Sequence, residues 1–291
     1  MAQTATTGNL ENAQKIIISA ARYTEEHNAP AMALTEKFSL PKGSKQVTVP
    51  KVGQMTMSDL QDGVDIIDEE DIGMTTVDLT AAEVGAKVVL TDKLVRQSAP
   101  NVFSIIGKQL GDGMARKKDT DVLALYTNLN GGTKLGAATK FMKASNVQGI
   151  IAYAKANNFG SQLYILHHPN AVAYLSKESA VAASSGSSPI PEGWSQDLLS
   201  NFWSGLRPMN NVAIFEDGNI TEDSSGDGIG VIADKSAMAT LSSVETRTER
   251  QRDASLRATE VVMTADYGVF ELDDTRGAGV TFDVTALATN N

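Results

Sequence analysis

The feature that most constrains this chain is a long apolar stripe. Phe103, Ile106, Leu110, Met114, Val122, Leu125 and Leu129 recur at helical spacing, the signature of one buried helix face. At 3.6 residues per turn the stripe predicts about eight turns. It is the longest element in the chain, and the rest has to be arranged around it. Ser98-Ala-Pro100 supplies the opening, with proline tolerated in the first turn. Asn130-Gly131-Gly132 supplies the end. Inside lie Gly107, Gly111 and Gly113. A glycine inside a helix is about 1 kcal/mol worse than alanine, so the three cost roughly 3 kcal/mol together. Two explanations are open: close packing against a sheet, or a place where the helix bends.

The segments before the stripe are of another kind. Met1–Gly8 is small and polar. Asn9–Asn28 predicts an amphipathic helix on Leu10, Ala13, Ile17, Ala20 and Ala21, and Asn28–Pro41 an extended stretch. Lys45–Val49 alternates as a half-buried strand does. VDLTAAEVGAKVVLTDKLV, with Val84, Val88 and Val89, returns as a second long strand. The two join through an acidic tip at about Asp59–Gly73. An isolated hairpin buries little, so it has to lie on something.

After the stripe the pattern becomes compact α/β. Helices are expected at Ser145–Asn157, Pro169–Ser176 and Gln196–Trp203. Strands are expected at Leu163–Leu166, Val212–Phe215 and Gly228–Ala233. Ala182–Gly193 is a Ser/Gly/Pro loop. The last part returns to β: Leu241–Thr246, a charged connection TERQRDASLR, Ala258–Ala265, Tyr267–Leu272 and Gly279–Val284.

Composition removes whole classes of chemistry. There is no cysteine, hence no disulfide, thiolate metal site or iron–sulfur cluster. The formal charge is −10, which opposes a dedicated nucleic-acid binder. Only His27, His167 and His168 could serve as histidine bases. No apolar run is long enough to span a bilayer or form a signal-peptide core, so a soluble, non-exported protein is expected.

Several stretches still deserve a chemical reading. His167-His168-Pro169 sits where a strand gives way to a helix, a place where α/β domains hold ligands, but no HExxH-type partner accompanies it. Asp223–Asp234 partly matches a calcium loop, without flanking helices. GDGIG, LGDGM and RGAGV are fragments of phosphate-loop patterns, and SLPK, Ser39–Lys42, fits S-x-x-K by spelling only. Asp68, Glu69, Glu70 and Asp71 form an acidic run, read as a solvated tip. Arg247, Glu249, Arg250, Arg252, Asp253 and Arg257 mix signs too tightly for a phosphate patch. They suit either charge pairing across a subunit boundary or a plain solvated face. Asp273-Asp274-Thr275-Arg276-Gly277 combines acids, a base and flexible backbone, as an active site or a turn would.

The order of these parts resembles the major capsid proteins of tailed double-stranded DNA phages, the Hong Kong 97 type fold. EVGAKVVLTDKLVRQSAPNVFSIIGKQLGDGMARKKDTDVL is similar to that family's passage from extended loop to spine helix. LYILHHPNAVAYL is similar to a strand, proline and helix of its axial domain. VVMTADYGVFELDDTRGAGVTFDV, with Tyr267-Gly268, resembles its final peripheral strands. The likeness covers about Phe38 to Val284.

The resemblance implies an α+β fold. Its parts are an N-terminal arm (1–41), an extended β-hairpin or E-loop (42–95), a peripheral domain with a long spine helix (96–140), an α/β axial domain (141–239), and peripheral β-strands with the C-terminus (240–291). It implies a structural subunit that self-assembles into pentamers and hexamers of an icosahedral head. The head would enclose DNA without sequence-specific binding, with no cofactor, metal, membrane or catalytic residue. Only about forty residues precede the loop, which implies a separate scaffolding protein beside a portal and an optional decoration protein, with assembly in the bacterial host cytoplasm. No covalent crosslink is expected, because Lys42, Lys45 and Lys51 match no crosslinking position. Subunit-interface candidates are Asp68, Glu69, Glu70, Asp71, Arg247, Glu249, Arg250, Arg252, Asp253, Arg257 and Arg276; helix-bend candidates are Gly107, Gly111 and Gly113. Asp273–Gly277 is then expected to turn between two peripheral strands. Two rival readings stand beside this one: an encapsulin-like compartment of the same fold, and a cytosolic α/β enzyme using the region of His167.

Overall fold

The computed structural model describes residues 30–52, 73–92, 102–184 and 212–286. In chain order these form helix α1 (Pro30–Ala33), strands β1 (Glu36–Ser39), β2 (Gln46–Lys51), β3 (Thr75–Thr80) and β4 (Ala82–Thr91), then helix α2 (Val102–Leu125). A two-residue strand β5 (Leu135–Gly136), helix α3 (Ala144–Ala156), strand β6 (Leu163–His167) and helix α4 (Pro169–Ser184) follow. The chain continues with β7 (Ala213–Glu216), β8 (Asp227–Asp234), β9 (Met238–Asp253), β10 (Ala258–Glu271) and β11 (Gly277–Asp283).

Helix α2 spans two cores, which is why its stripe is so long. Its front half, Ile106, Leu110 and Met114, packs on Leu90, Val261, Met263, Ala265 and Tyr267 of a four-stranded sheet ordered β1-β9-β10-β4. Its rear half and the turn beyond it, Val122, Tyr126 and Leu129, pack on Tyr164, Leu166, Val231 and Ala233 of a five-stranded sheet ordered β5-β11-β8-β6-β7. The helix ends at Leu125, one turn earlier than the stripe predicts. Leu129 stays buried because the chain folds back through Asn130, Gly131 and Gly132, all at positive φ. The opening at Ser98-Ala-Pro100 lies outside the described residues.

The five-stranded sheet is covered on both faces. Leu163 and Ile165 of β6 face α3 and α4, while Tyr164 and Leu166 face α2. All five residues of β6 are buried, so it reads as a continuous apolar run. Helix α4 runs on to Ser184, beyond the expected Ser176 and into the stretch read as a loop. The expected helices Asn9–Asn28 and Gln196–Trp203 lie outside the described residues.

Three expectations for the β-rich last part of the chain are corrected. The charged stretch Thr248–Asp253 is not a connection but strand: it continues β9 and pairs antiparallel with β10 from Asp253↔Ala258 to Thr248↔Met263. The break expected at Asp266 is a register irregularity within one continuous β10. Asp273–Gly277 does not join two strands of one sheet. It carries the chain from β10 in the four-stranded sheet to β11, which pairs with β8 in the other. The cause is packing: Ala278, Val280 and Phe282 alternate into the α3/α4 core, and a Cβ on Gly279 would meet the Tyr126 carbonyl at 2.6 Å. The RGAGV glycines therefore let the end of α2 sit on the strand.

The hairpin β2–β3 pairs from Gln46↔Thr80 to Lys51↔Thr75. Its base is covered by its own chain, since Leu79 is fully buried and Val47, Val49 and Val77 pack with Ala239 and Leu241. The acidic tip Asp59–Gly73 is outside the described residues except for Gly73. The stretch from Asn28 to Pro41, expected as extended, is helical over Pro30–Ala33 before β1 runs parallel to β9.

Candidate assembly surfaces

Asp273 sits at a junction of three elements. Its Oδ1 accepts from Lys51 Nζ of the hairpin (2.5 Å), from the Thr275 amide (3.0 Å) and from Thr275 Oγ1 (2.7 Å). Its Oδ2 accepts from Arg276 Nε (3.2 Å), and Arg276 Nη1 donates to Ser236 Oγ (3.0 Å). Burial pushes the Asp273 carboxyl up, but the hydrogen bonds from Lys51 and Thr275 outweigh it and hold the group below the usual aspartate range. Asp274 turns the other way and accepts from the Gly131 amide at 2.8 and 3.1 Å, beyond the end of α2. The acids of DDTRG thus fasten the hairpin base and the helix end to the β10–β11 turn. Arg276 is paired within its own chain, and an acidic side chain at a turn is here a cap and a tether.

Beyond Thr246 the strands β9, β10 and β4 form a ribbon. Cross-strand neighbours share a face, so the register puts Arg250 opposite Val261 and Arg252 opposite Thr259, on the face that α2 covers. Arg250 is half-buried, with Nη1 enclosed and no hydrogen-bond partner among the described residues. The other face carries Arg247 and Glu249, 3.4 Å apart, and Lys87 with Glu260 at 2.6 Å. Asp253 caps the turn by accepting from the amides of Ser255 (2.8 Å) and Leu256 (3.1 Å). At the tip Leu256 is 53% exposed, and Arg257 holds a φ of 47°. Asp68, Glu69, Glu70 and Asp71 lie outside the described residues.

The other chemical candidates resolve into structure. His167 is fully buried, its Nδ1 accepts from the His168 amide (2.9 Å), and burial lowers its pKa to about 4. A closed, neutral imidazole cannot meet a substrate. His168 accepts from the Asn170 amide at 3.2 Å. Among the described residues no group of three or more His, Asp or Glu side chains could hold a metal ion. In the calcium-like stretch, Asp223 accepts from the amides of Ser225 and Asp227, and Asp234 from that of Gln162. Asp227 and Asp234 stand at opposite ends of β8, about 23 Å apart at 3.3 Å per residue, so the loop cannot converge on one ion.

The three helix glycines divide. Gly107 and Gly111 are buried, whereas Gly113 is exposed and a Cβ there would meet nothing within 4 Å. Close packing can account for the first two but not for Gly113.

Two features escape the sequence reading. One is the Lys51–Asp273 tie, which no local pattern announces. The other is Asp119, fully buried in α2. It accepts from the Ala31 amide (3.0 Å) and from Asn219 Nδ2 (2.8 Å). A signal existed, because Asp119 lies four residues after Ala115 and three before Val122, inside the apolar stripe.

The family profile described as phage capsid protein matches residues 74–281, more than half of the chain. Comparison with curated protein sequences gives no match. Among solved structures the chain is similar to the head of Helicobacter pylori bacteriophage KHP40, with 13% identity, TM-score 0.63, and 89% of this chain and 91% of that one covered. It is also similar to the capsid of a native GTA particle, with 10% identity, TM-score 0.64, and coverage of 87% and 90%. A third is the mature capsid of bacteriophage PhiM1, with 16% identity, TM-score 0.62, and coverage of 87% and 86%. At such identities the likeness carries the fold, which is of the Hong Kong 97 type. Neither the compartment reading nor the enzyme reading gains support. The family match across α2 and both sheets, together with this fold, leads to one conclusion: the chain belongs to the phage capsid protein family and is a structural major capsid protein.

Proposed function

We propose that the subunit builds pentamers and hexamers whose junctions are made by the β9–β10–β4 ribbon and by the hairpin tip. The four-stranded sheet with the front of α2 acts as the peripheral domain, and the five-stranded sheet with α3 and α4 as the axial domain, now including β11. The observation that carries the proposal is the ribbon's asymmetry. One face is sealed by α2, and the other leaves Val89 40% and Val244 38% exposed beside its charge pairs. A long strand pair with one uncovered face and an exposed Leu256 at its tip suits burial by neighbouring copies. Exposed pairs contribute only about 0–1 kcal/mol each, but a shell repeats them at every junction. Interfaces would fall in the obligate range of roughly 2,000–5,000 Å².

The subunit performs no chemistry of its own in this reading. Assembly takes place in the host cytoplasm with a separate scaffolding protein and a portal, an optional decoration protein adds later, and α2 flexes near Gly113 as the shell matures. The test uses the exposed arginines, since Arg250 is half-buried. Arg252→Glu with Arg257→Glu should leave the subunit folded by circular dichroism and stop shell closure. Deleting residues 59–73 should do the same. Normal shells from both variants would overturn the proposed junctions.

A further inference from the structure

Asp119 does not stand alone. It is fully buried in the rear half of α2, where the helix passes from one sheet to the other, and Asp217 after β7, 2% exposed, lies within hydrogen-bonding reach of it. Asn219 links the two: its Nδ2 donates to Asp119 Oδ2 (2.8 Å) and its amide to Asp217 Oδ1 (2.8 Å). The Asp217 amide donates to the His167 carbonyl (3.0 Å), fixing the loop to β6. Asp119 Oδ1 takes the Ala31 amide (3.0 Å), fixing α1 to α2. Asp217 Oδ2 is enclosed and receives no hydrogen bond from a donor among the described residues. Two buried carboxylates this close cannot both ionise cheaply, and a single proton between them satisfies Oδ2.

We propose that Asp119 and Asp217 form a proton-sharing clasp that holds residues 30–34 and the loop 217–219 against α2, and that losing the proton loosens both. The clasp does not depend on how the ribbon or the hairpin tip contacts other subunits. Among the described residues the groups that face it are few. Helix α2 presents Asp112, Arg116 and the enclosed hydroxyl of Tyr126. Strand β7 presents Glu216, and the β6–α4 junction presents His168, which feels the Asp217 charge. Residues 30–35 carry no titratable side chain. Arg116 is the sole fixed cation among these groups, and it is exposed at the rim of a cavity of about 370 Å³ through which the proton can pass to water.

Burial, then the hydrogen bond with Asp217, raise the Asp119 pKa to about 7, against the smaller opposing effect of Asn219. The folded form therefore keeps a proton that an unfolded aspartate releases near about 3.9. Between these values the folded state binds more protons, so the clasp weakens as pH rises towards 7. In a shell subunit this makes the anchorage of the N-terminal segment responsive to pH.

Hydrogen–deuterium exchange of the full-length subunit at pH 6 and pH 8, corrected for intrinsic exchange, tests the clasp. Peptides covering residues 30–35 and 212–222 should lose about tenfold in protection, the change in ionised fraction for a group titrating near 7. Peptides from β6 should not change. Asp217→Asn supplies a permanent N–H to Asp119 and should abolish the loss. If that variant does not fold, Asp119→Asn should also abolish it. No loss in the wild type, or an equal loss in a folded variant, overturns the clasp.

Discussion

Replacing Gly113 by alanine separates packing from flexing in the long helix. Gly113 lies near the middle of the 24-residue helix α2, so end fraying does not dilute the effect. It is exposed, and an added Cβ meets nothing within 4 Å, so no clash offsets the gain. The expected change is the full helix-propensity difference, about 1 kcal/mol of added subunit stability. Much of it arises from the smaller freedom of the unfolded chain. At an m value of roughly 3 kcal/mol/M this moves the urea midpoint up by about 0.3 M. Urea titration of the unassembled subunit, followed by far-ultraviolet circular dichroism, measures it. A lower or unchanged midpoint would refute the propensity argument. If the midpoint rises and the variant also assembles and matures at the wild-type rate, the proposed flexing at Gly113 fails.

Two further substitutions test the contacts that join the parts. A Cβ at Gly268 would meet the Thr80 carbonyl at 2.3 Å and the Phe270 ring at 2.6 Å, so Gly268→Ala should destabilise the subunit by about 1–3 kcal/mol. A midpoint equal to wild type would show that the strand crossing can shift freely. Asp273→Ala removes a turn cap and the Lys51 tie, an expected loss of about 2 kcal/mol near neutral pH. Because the Asp273 pKa is lowered in the fold, its contribution is fully present above the unfolded value of about 3.9 and fades as pH falls through the folded one, so the gap to wild type should narrow as pH drops below the ordinary aspartate range. A gap that widens in acid would contradict the assignment.

The sequence reveals some elements because burial imposes a period on them. Helix α2 is legible because two cores take the same face of it, and β6 because both of its faces are buried. Strand β9 hides after Thr246: exposed charges interrupt its alternation, so Thr248–Asp253 reads as a connection. The change of sheet at Asp273–Gly277 depends on where the end of α2 lands, which no local pattern encodes. The junction residues follow the same division. Asp273 and Asp274 announce a turn, but Lys51 lies 222 residues from Asp273. Asp119 is visible as an acid inside an apolar stripe, whereas Asp217 is an ordinary loop aspartate until the fold brings it there.

The central claim is that this chain is the subunit of a closed shell. Electron microscopy of the full-length protein, expressed with its neighbouring genes and again without them, tests it most directly. Closed, uniform icosahedral shells in at least the first sample are the predicted result, with the β9–β10–β4 ribbons of different subunits meeting at the junctions. A folded protein that stays monomeric in both samples would contradict the account.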